Sequence, residues 1–250
     1  MHIDVIDLRD FYSSPLGQVA RRLIGHKLRA RWPDVTGLTV IGVGYATPYL
    51  GVFAAEAARL GAIMPAAQGV VHWPSEAPFH TVLSDDAALP LPDGSVDRLL
   101  LAHALEMLVD PQAVLREVWR VLAPGGRLVA ILPNRRGMWA RLDTTPFGHG
   151  RPYSRGQLTS LMRDAMFSPS GWVTALAMPP FNVRFLIRSA TAMERLGTVL
   201  TPGFAGVLIV EATKQVYAPV QAERRERQLA RSFKPVLIPP AAGAASRSRT

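Results

Sequence analysis

Short apolar runs separated by helical stretches recur along residues 38–132, and this alternation narrows the possible folds more than any other feature of the chain. Leu38–Val43 is rich in β-branched residues and predicts a buried strand. The turn Gly44-Tyr-Ala-Thr-Pro48 leads into a helix, with Thr47 as cap, Pro48 as first helical residue and Gly61 as stop after Leu60. Ala62–Met64 and Thr81–Leu83 predict two more strands, and Val96–Ala102 a fourth after the Asp93-Gly turn. Asp110-Pro111 starts a helix whose apolar positions Val114, Leu115, Val118 and Leu122 share one face. Ala123-Pro-Gly-Gly126 ends it, and Arg127–Leu132 predicts the fifth strand. Such alternation predicts an α/β fold: an open, doubly wound, mostly parallel sheet with helices on both faces. Ligands of these sheets sit at the carboxyl ends of strands where strand order reverses.

Beyond this core the pattern continues. Ser154-Arg-Gly-Gln157 reads as a capping box opening a helix that runs to about Phe167. Gly171–Met178 and Gly206–Ala212 predict the sixth and seventh strands, with an inserted helix over 181–197 (Phe181–Leu196 the clearest part) between them. Ahead of the core, residues 1–36 read as a helical extension, helical over 9–31, with Ser14-Pro15 as a start signal and Leu16, Val19, Ala20, Leu23 and Ile24 at helical spacing. The domain therefore spans 37–218. Residues 219–250 predict a basic tail, largely disordered, with a charged run at Gln221–Arg231 and an apolar island at Phe233–Pro240 expected to dock on the protein's own surface or a partner.

Composition removes several function classes. The 250 residues include no Cys, which excludes a disulfide scaffold, a zinc ribbon, an iron–sulfur site and a thiol nucleophile. An apolar share of 48% is enough for a sizeable core. No apolar stretch reaches the roughly 18 residues of a spanning helix, and the acidic start lacks a secretory pattern, so the expectation is a soluble, cytoplasmic protein. The net charge of +9 is uneven. Residues 135–163 hold six arginines against one acid, Asp143, whereas residues 37–110 hold eight acids against Arg59 and Arg98. Basic segments of this kind suit an anionic small molecule, with RNA or a protein as further candidate partners.

With the sheet placed, four segments carry a family resemblance. They are Val40-Ile-Gly-Val-Gly-Tyr-Ala-Thr-Pro-Tyr-Leu50, Asp85-Asp-Ala-Ala-Leu-Pro-Leu-Pro-Asp-Gly-Ser-Val-Asp97, Leu101-Ala-His-Ala-Leu-Glu106 and Leu115-Arg-Glu-Val-Trp-Arg-Val-Leu-Ala-Pro-Gly-Gly-Arg-Leu128. The stretch 38–132 resembles the core of class I S-adenosylmethionine-dependent methyltransferases of the type 11 kind. The resemblance implies a Rossmann-like methyltransferase fold of seven strands, the last antiparallel, with S-adenosylmethionine as cofactor. It also implies cofactor contacts from Gly42, Gly44, Tyr45 and Ala46 in the first turn, Met64 and Gln68 around the second strand, Asp85, Asp86 and Ala87 after the third, and His103 after the fourth. Asp85 matches the acid that accepts from the adenine amine.

Two departures bear on the chemistry. The family loop is an acid followed by three glycines at alternate positions, and here those positions read Gly42, Gly44, Ala46 and Pro48. Gly44 keeps the freedom to take positive φ. Gly42 removes the acid that contacts the cofactor's amino end. At the end of the second strand the family's ribose-binding acid is replaced by Met64-Pro65, with Gln68 as the candidate substitute. Each lost charge-assisted hydrogen bond costs about 1.5–3 kcal/mol at a desolvated site.

The connection from Pro133 to Tyr153 is long for a compact domain and reads as a substrate-side lid over 133–153. Arg135, Arg136, Arg141 and Arg151 can grip an anion in fork geometry, and Arg135, Arg136, Trp139 and Arg151 are the candidate substrate residues. His149, with a side chain suited to general-base work, His103 and Tyr153 are the candidate catalytic residues. His103 and Glu106 share an i, i+3 spacing, but the sequence supplies no further metal ligands to join them. Tyr12 lies in the extension, which either packs plainly on the sheet or covers the cofactor. Two functions compete: methyl transfer to an O, N or C nucleophile of an anionic or aromatic acceptor, and a non-catalytic module of the same fold that holds an anionic partner such as RNA or a protein.

Overall fold

The structure is a computed structural model, and it describes residues 3–75, 78, 80–200 and 202–216. Seven strands form one sheet: β1 (Thr39–Gly44), β2 (Arg59–Pro65), β3 (Thr81–Ser84), β4 (Val96–Ala102), β5 (Leu122–Pro133), β6 (Phe167–Ala175) and β7 (Val207–Lys214). Their order is β3-β2-β1-β4-β5-β7-β6. The first five are parallel, while β7 runs antiparallel to both β5 and β6. Strand order reverses between β1 and β4, so the carboxyl ends of these two strands frame the crevice where a ligand belongs.

The strand pleat sends alternate residues to opposite faces, and the core divides accordingly. Val40 of β1 faces one layer with Ala62, Leu100, Val129 and Ile209, under the N-terminal helices and the lid. Ile41 and Val43 face the other with Leu99, Leu101, Leu128 and Val210. That second face is covered by α4 (Pro111–Val121) and α5 (Arg155–Asp164), which bury Val114, Leu115, Val118 and Val121, and Leu158 and Met162. Each such fully buried aliphatic side chain contributes about 1.5–3 kcal/mol as an upper estimate.

The N-terminal extension is two helices, not one. α1 (Val5–Ser13) and α2 (Pro15–Arg31) are split at Ser14, whose backbone is extended and whose side-chain oxygen accepts from the Gly17 amide to cap α2, with Pro15 at its first position. The segment ahead of residue 9 is helical as well because Asp4 caps it through the Ile6 amide.

The helix expected from Pro48 to Leu60 is the largest correction. Only α3 (Thr47–Leu50) and one 3-10 turn (Gly51–Phe53) form, and Thr47 makes no capping bond. Glu56 is drawn away to Arg29 and to the Val35 amide, and β2 already begins at Arg59 opposite Thr39. These tertiary partners outweigh local helix propensity.

Other boundaries shift by a few residues. β5 starts at Leu122, so Pro124-Gly-Gly126 lies within a distorted strand, with Gly125 at φ +76. α5 stops at Asp164, and Phe167 already pairs with Lys214. The inserted helix is α6 (Arg184–Leu200). The capping box at Ser154 and Gln157 forms in both directions. The charged run at 221–231 and the apolar island at 233–240 lie outside the described residues. Among the described residues, no helix is long and apolar enough to cross a membrane.

Candidate active site

At the end of β1 the chain turns through Gly44 at φ +82. A Cβ there would collide with the Ala102 carbonyl and Ala104, so the two strand ends close tightly on each other. A Cβ on Gly42 would meet Ala46 and Leu50 instead. Immediately past β4, His103 adopts φ +48, an uncommon conformation for a residue with a side chain, and is 2% exposed.

Over this crevice lies Tyr12 of α1. Its hydroxyl is 2.6 Å from the Tyr49 hydroxyl and 2.7 Å from His103 Nε2. The bonds close into a chain if Tyr49 donates to Tyr12 and Tyr12 donates to Nε2. The Tyr12 ring stacks on Tyr45, with centroids 5.8 Å apart, and Phe147 from the lid packs 4.9 Å from the His103 ring. Burial, and then the neighbouring Tyr49, push the Tyr12 phenol well above its ordinary pKa; burial does the same to Tyr49. Both hydroxyls therefore stay protonated through the physiological range.

Several polar atoms around Tyr12 lack partners. Glu106 is 2% exposed, and neither carboxylate oxygen has a hydrogen bond; the nearest base, His103 Nδ1, is 3.6 Å away and is itself unpartnered. Gln68 donates from Nε2 to the His103 carbonyl at 3.1 Å, while its Oε1 accepts nothing.

Two clefts of about 660 Å³ open nearby. One runs between α1, the turn after β4 and the lid, and is lined by Asp4, Asp7, Phe11, Glu106, Asp143, Thr145 and His149 among others. The other is lined by Lys27, Asn134, Arg136, Arg155 and Trp172 among others.

The expected site residues divide among these places. Gly42, Gly44, Tyr45, Ala46, Met64, Gln68 and His103 gather at the crevice, and all of them are buried. Asp85 and Ala87 lie outside it on an exposed turn, where the Asp85 carboxylate accepts from the Ala87 amide. Asp86 is half-buried beside Asp85, and desolvation first, then that neighbouring charge, push its carboxyl up to about 6. Trp139 is a core residue, 1% exposed, donating to the Met178 carbonyl at 2.7 Å. Tyr153 is buried against the Leu105 carbonyl, and burial raises its pKa. His149 stands at the acidic cleft with Nε2 3.0 Å from the Asp143 carbonyl oxygen. Arg135, Arg136, Arg141 and Arg151 are exposed, and none of them lines the acidic cleft.

The family described as "Methyltransferase domain" matches residues 37–130, the stretch that builds β1 to β5 and both sides of the crevice. Residues 37–130 thus form a methyltransferase domain of the class I S-adenosylmethionine-dependent kind. Among relatives, a demethylmenaquinone methyltransferase of Thermus thermophilus is 34% identical over 160 residues, 60% of this chain and 66% of that protein. A "Probable S-adenosylmethionine-dependent methyltransferase" of Mycobacterium tuberculosis is 40% identical over 101 residues, 39% of this chain and 36% of that one. The chain thus spans from about a third to just under two thirds of the length of these relatives. Solved structures share the methyltransferase fold at low identity. A methyltransferase of Thermotoga maritima superposes with a TM-score of 0.60 at 16% identity, covering 84% of this chain and 96% of that one. The cyclase SpnF superposes at 0.55 with 21% identity, covering 80% and 84%.

This domain implies S-adenosylmethionine as cofactor. In the conformation described, Tyr12 lies across the crevice that would hold it, bonded to Tyr49 and His103. The Tyr12 and Tyr45 rings stack on each other there, and Ala46 and Leu50 fill the space beside Gly42. A cavity of about 990 Å³ opens on the outer side, lined by Tyr12 and Pro48, but neither it nor the two 660 Å³ clefts are lined by Gly42, Gly44, Met64, Gln68 or Asp85. The residues that matter most here, Tyr12, Tyr49 and Glu106, carried weak sequence signals. Tyr12 sits outside the family's motifs, Tyr49 falls in the first motif at a position given no role, and Glu106 suggested only a metal pair. The legible signal was a buried-type carboxylate on an otherwise apolar turn after β4.

Proposed function

We propose that this chain transfers a methyl group from S-adenosylmethionine to an O, N or C nucleophile of a small-molecule acceptor. The observation that carries the reading is the acidic cleft beside the crevice. It opens on the carboxyl side of the sheet, and its walls come from α1, the turn after β4 and the lid. When bound, the cofactor supplies an already activated methyl group, so the protein's work is alignment and exclusion of water.

The lid serves exclusion. Trp139 and Phe147, both 1% exposed, pin it to the core and leave its polar edge at the cleft. His149 is the candidate base for an acceptor that must lose a proton, because it reaches the cleft directly. His103 is the second candidate, in line behind Tyr12, and Tyr153 is a positioning candidate through its contact with Leu105. Asp4, Asp7 and Asp143 give this cleft a negative lining, which suits an uncharged or amine-bearing acceptor with an aromatic part against Phe11. The anionic acceptor expected from the arginines finds no arginine there. For the cofactor, Asp85, Asp86 and Ala87 are the candidates for the adenine end, and Met64 and Gln68 for the ribose.

Calorimetry with S-adenosylhomocysteine tests the reading. The expected result is micromolar binding that Asp85→Ala weakens about tenfold, the equivalent of about 1.4 kcal/mol. Absence of binding by the folded protein, with a salt-sensitive shift on RNA, would instead support a binding module.

A further inference from the structure

We propose that α1 is a self-inhibitory plug, in which Tyr12 holds the place of the cofactor and must leave before an adenosyl ligand can enter and meet Glu106. The inference rests on the methyltransferase reading above and goes beyond it in naming what closes the site and what the opened site presents.

Two independent observations carry it. The first is occupancy. Tyr12 lies at the one point where strand order reverses, bonded at once to the residue after β4 (His103) and to the helix after β1 (Tyr49). These are the two elements that frame a ligand in a sheet of this topology. The second is unmet polarity. Gln68 Oε1, His103 Nδ1 and both Glu106 oxygens are buried without partners, and they belong to the residues around Tyr12. Buried polar groups in native proteins are nearly always satisfied, so four such atoms in one place call for a ligand. Glu106 calls for a cationic one, since its ion-pair neighbour His103 Nδ1, at 3.6 Å, supplies a counter-charge only when the imidazole is protonated, and an uncompensated buried carboxylate is costly. The sulfonium and the ammonium of S-adenosylmethionine both meet that need, and a nucleoside hydroxyl meets Gln68 Oε1. His103, held at φ +48 between Tyr12 and Gln68, is strained in the manner of a residue that serves a ligand.

α1 is built to be displaced. It is nine residues long, below the length at which a helix is stable by itself, and only Val5, Leu8 and Tyr12 are buried. One backbone bond ties its start to the body, from the Val5 amide to the Gln68 carbonyl at 2.9 Å. Ser14 breaks the helix before α2, so α1 can swing or unwind about Ser14 at the cost of the bonds Ser14 makes back to Asp10 and Phe11. Apparent affinity for the cofactor is then lowered by the fraction of molecules in which α1 is closed.

The chain has no Cys, which makes a reversible lock clean. A Cβ on Gly69 would lie 3.5 Å from Val5 Cβ, within disulfide reach, so Val5→Cys with Gly69→Cys can fasten α1 to the loop after β2. Gly69 has φ +94, so the reduced form of the same variant serves as its control. S-adenosylhomocysteine binding is measured by calorimetry on the oxidised and reduced forms, and melting temperature confirms that both fold. The expected result is binding at least tenfold weaker when oxidised and regained on reduction. Tyr12→Phe in the otherwise unaltered chain is a second probe, with binding up to about tenfold tighter and faster hydrogen exchange in residues 5–13. Equal binding by locked and unlocked forms overturns the plug and leaves the methyltransferase reading standing. No binding by any form, Tyr12→Phe included, overturns both.

Discussion

The Tyr12 hydroxyl lies 2.7 Å from His103 Nε2, which joins the N-terminal helix to the residue just past the fourth strand across 91 positions of sequence. The same hydroxyl bonds Tyr49, so one side chain ties together three elements of the fold. Tyr12→Phe keeps the ring and removes both bonds, leaving Tyr49 and His103 with unmet polar atoms in a buried place. A loss of about 1–3 kcal/mol in unfolding free energy is expected, read by urea denaturation. A change below about 0.5 kcal/mol would mean that the two bonds do not close the crevice.

Glu106 should behave in the opposite sense. Its carboxylate is buried without a hydrogen bond, and a neutral amide of the same shape is cheaper to hold there. Glu106→Gln is expected to gain about 1 kcal/mol in stability and to weaken S-adenosylhomocysteine binding. Denaturation and calorimetry on the same preparation check both halves, and a destabilised variant that binds as before would contradict the role given to this residue.

Asp86 gives stability a pH dependence. Its folded carboxyl is raised to about 6 from an ordinary value of 3.8. The folded state therefore binds the proton more tightly than the unfolded state between those values, and stability falls as pH rises from about 4 to about 6, then levels off. Asp86→Asn removes the penalty. Because Asp86 is only half-buried, the gain at pH 7 is expected to be no more than about 1 kcal/mol and to vanish near pH 4, read by melting at both pH values.

The capping box at the start of α5 offers a local test. Ser154 accepts from the Gln157 amide, and the Gln157 side chain accepts from the Ser154 amide. Ser154→Ala is expected to cost about 1 kcal/mol in denaturation experiments while leaving cofactor binding unchanged.

The sheet was legible in the sequence because its signals are local. The run Val96–Ala102, which closes on four consecutive apolar residues after the Asp93-Gly turn, matches β4 to the residue, and Ser14-Pro15 and Ser154–Gln157 define helix starts through short-range capping. The helix after the first turn was misread because what shortens it is distant: Arg29 and Val35 capture Glu56 from another element. The site was half legible for the same reason. Gly44, His103 and Gln68 follow from motif positions and do come together. Tyr12 depends on how α1 folds back, and no spacing rule encodes that. Trp139, read as a substrate residue, instead packs into the core with Phe147. Its arginines, read as an anion grip, face solvent or a different cleft because nothing local states which side of a loop turns inward.

The most direct test of the account is a crystal structure of the full chain grown with saturating S-adenosylhomocysteine. The expected result is an adenosyl ligand above Gly44 between the ends of β1 and β4, with Tyr12 withdrawn and Glu106 facing the ligand. A structure in which Tyr12 keeps its bonds to Tyr49 and His103, with no ligand in that crevice, would contradict it.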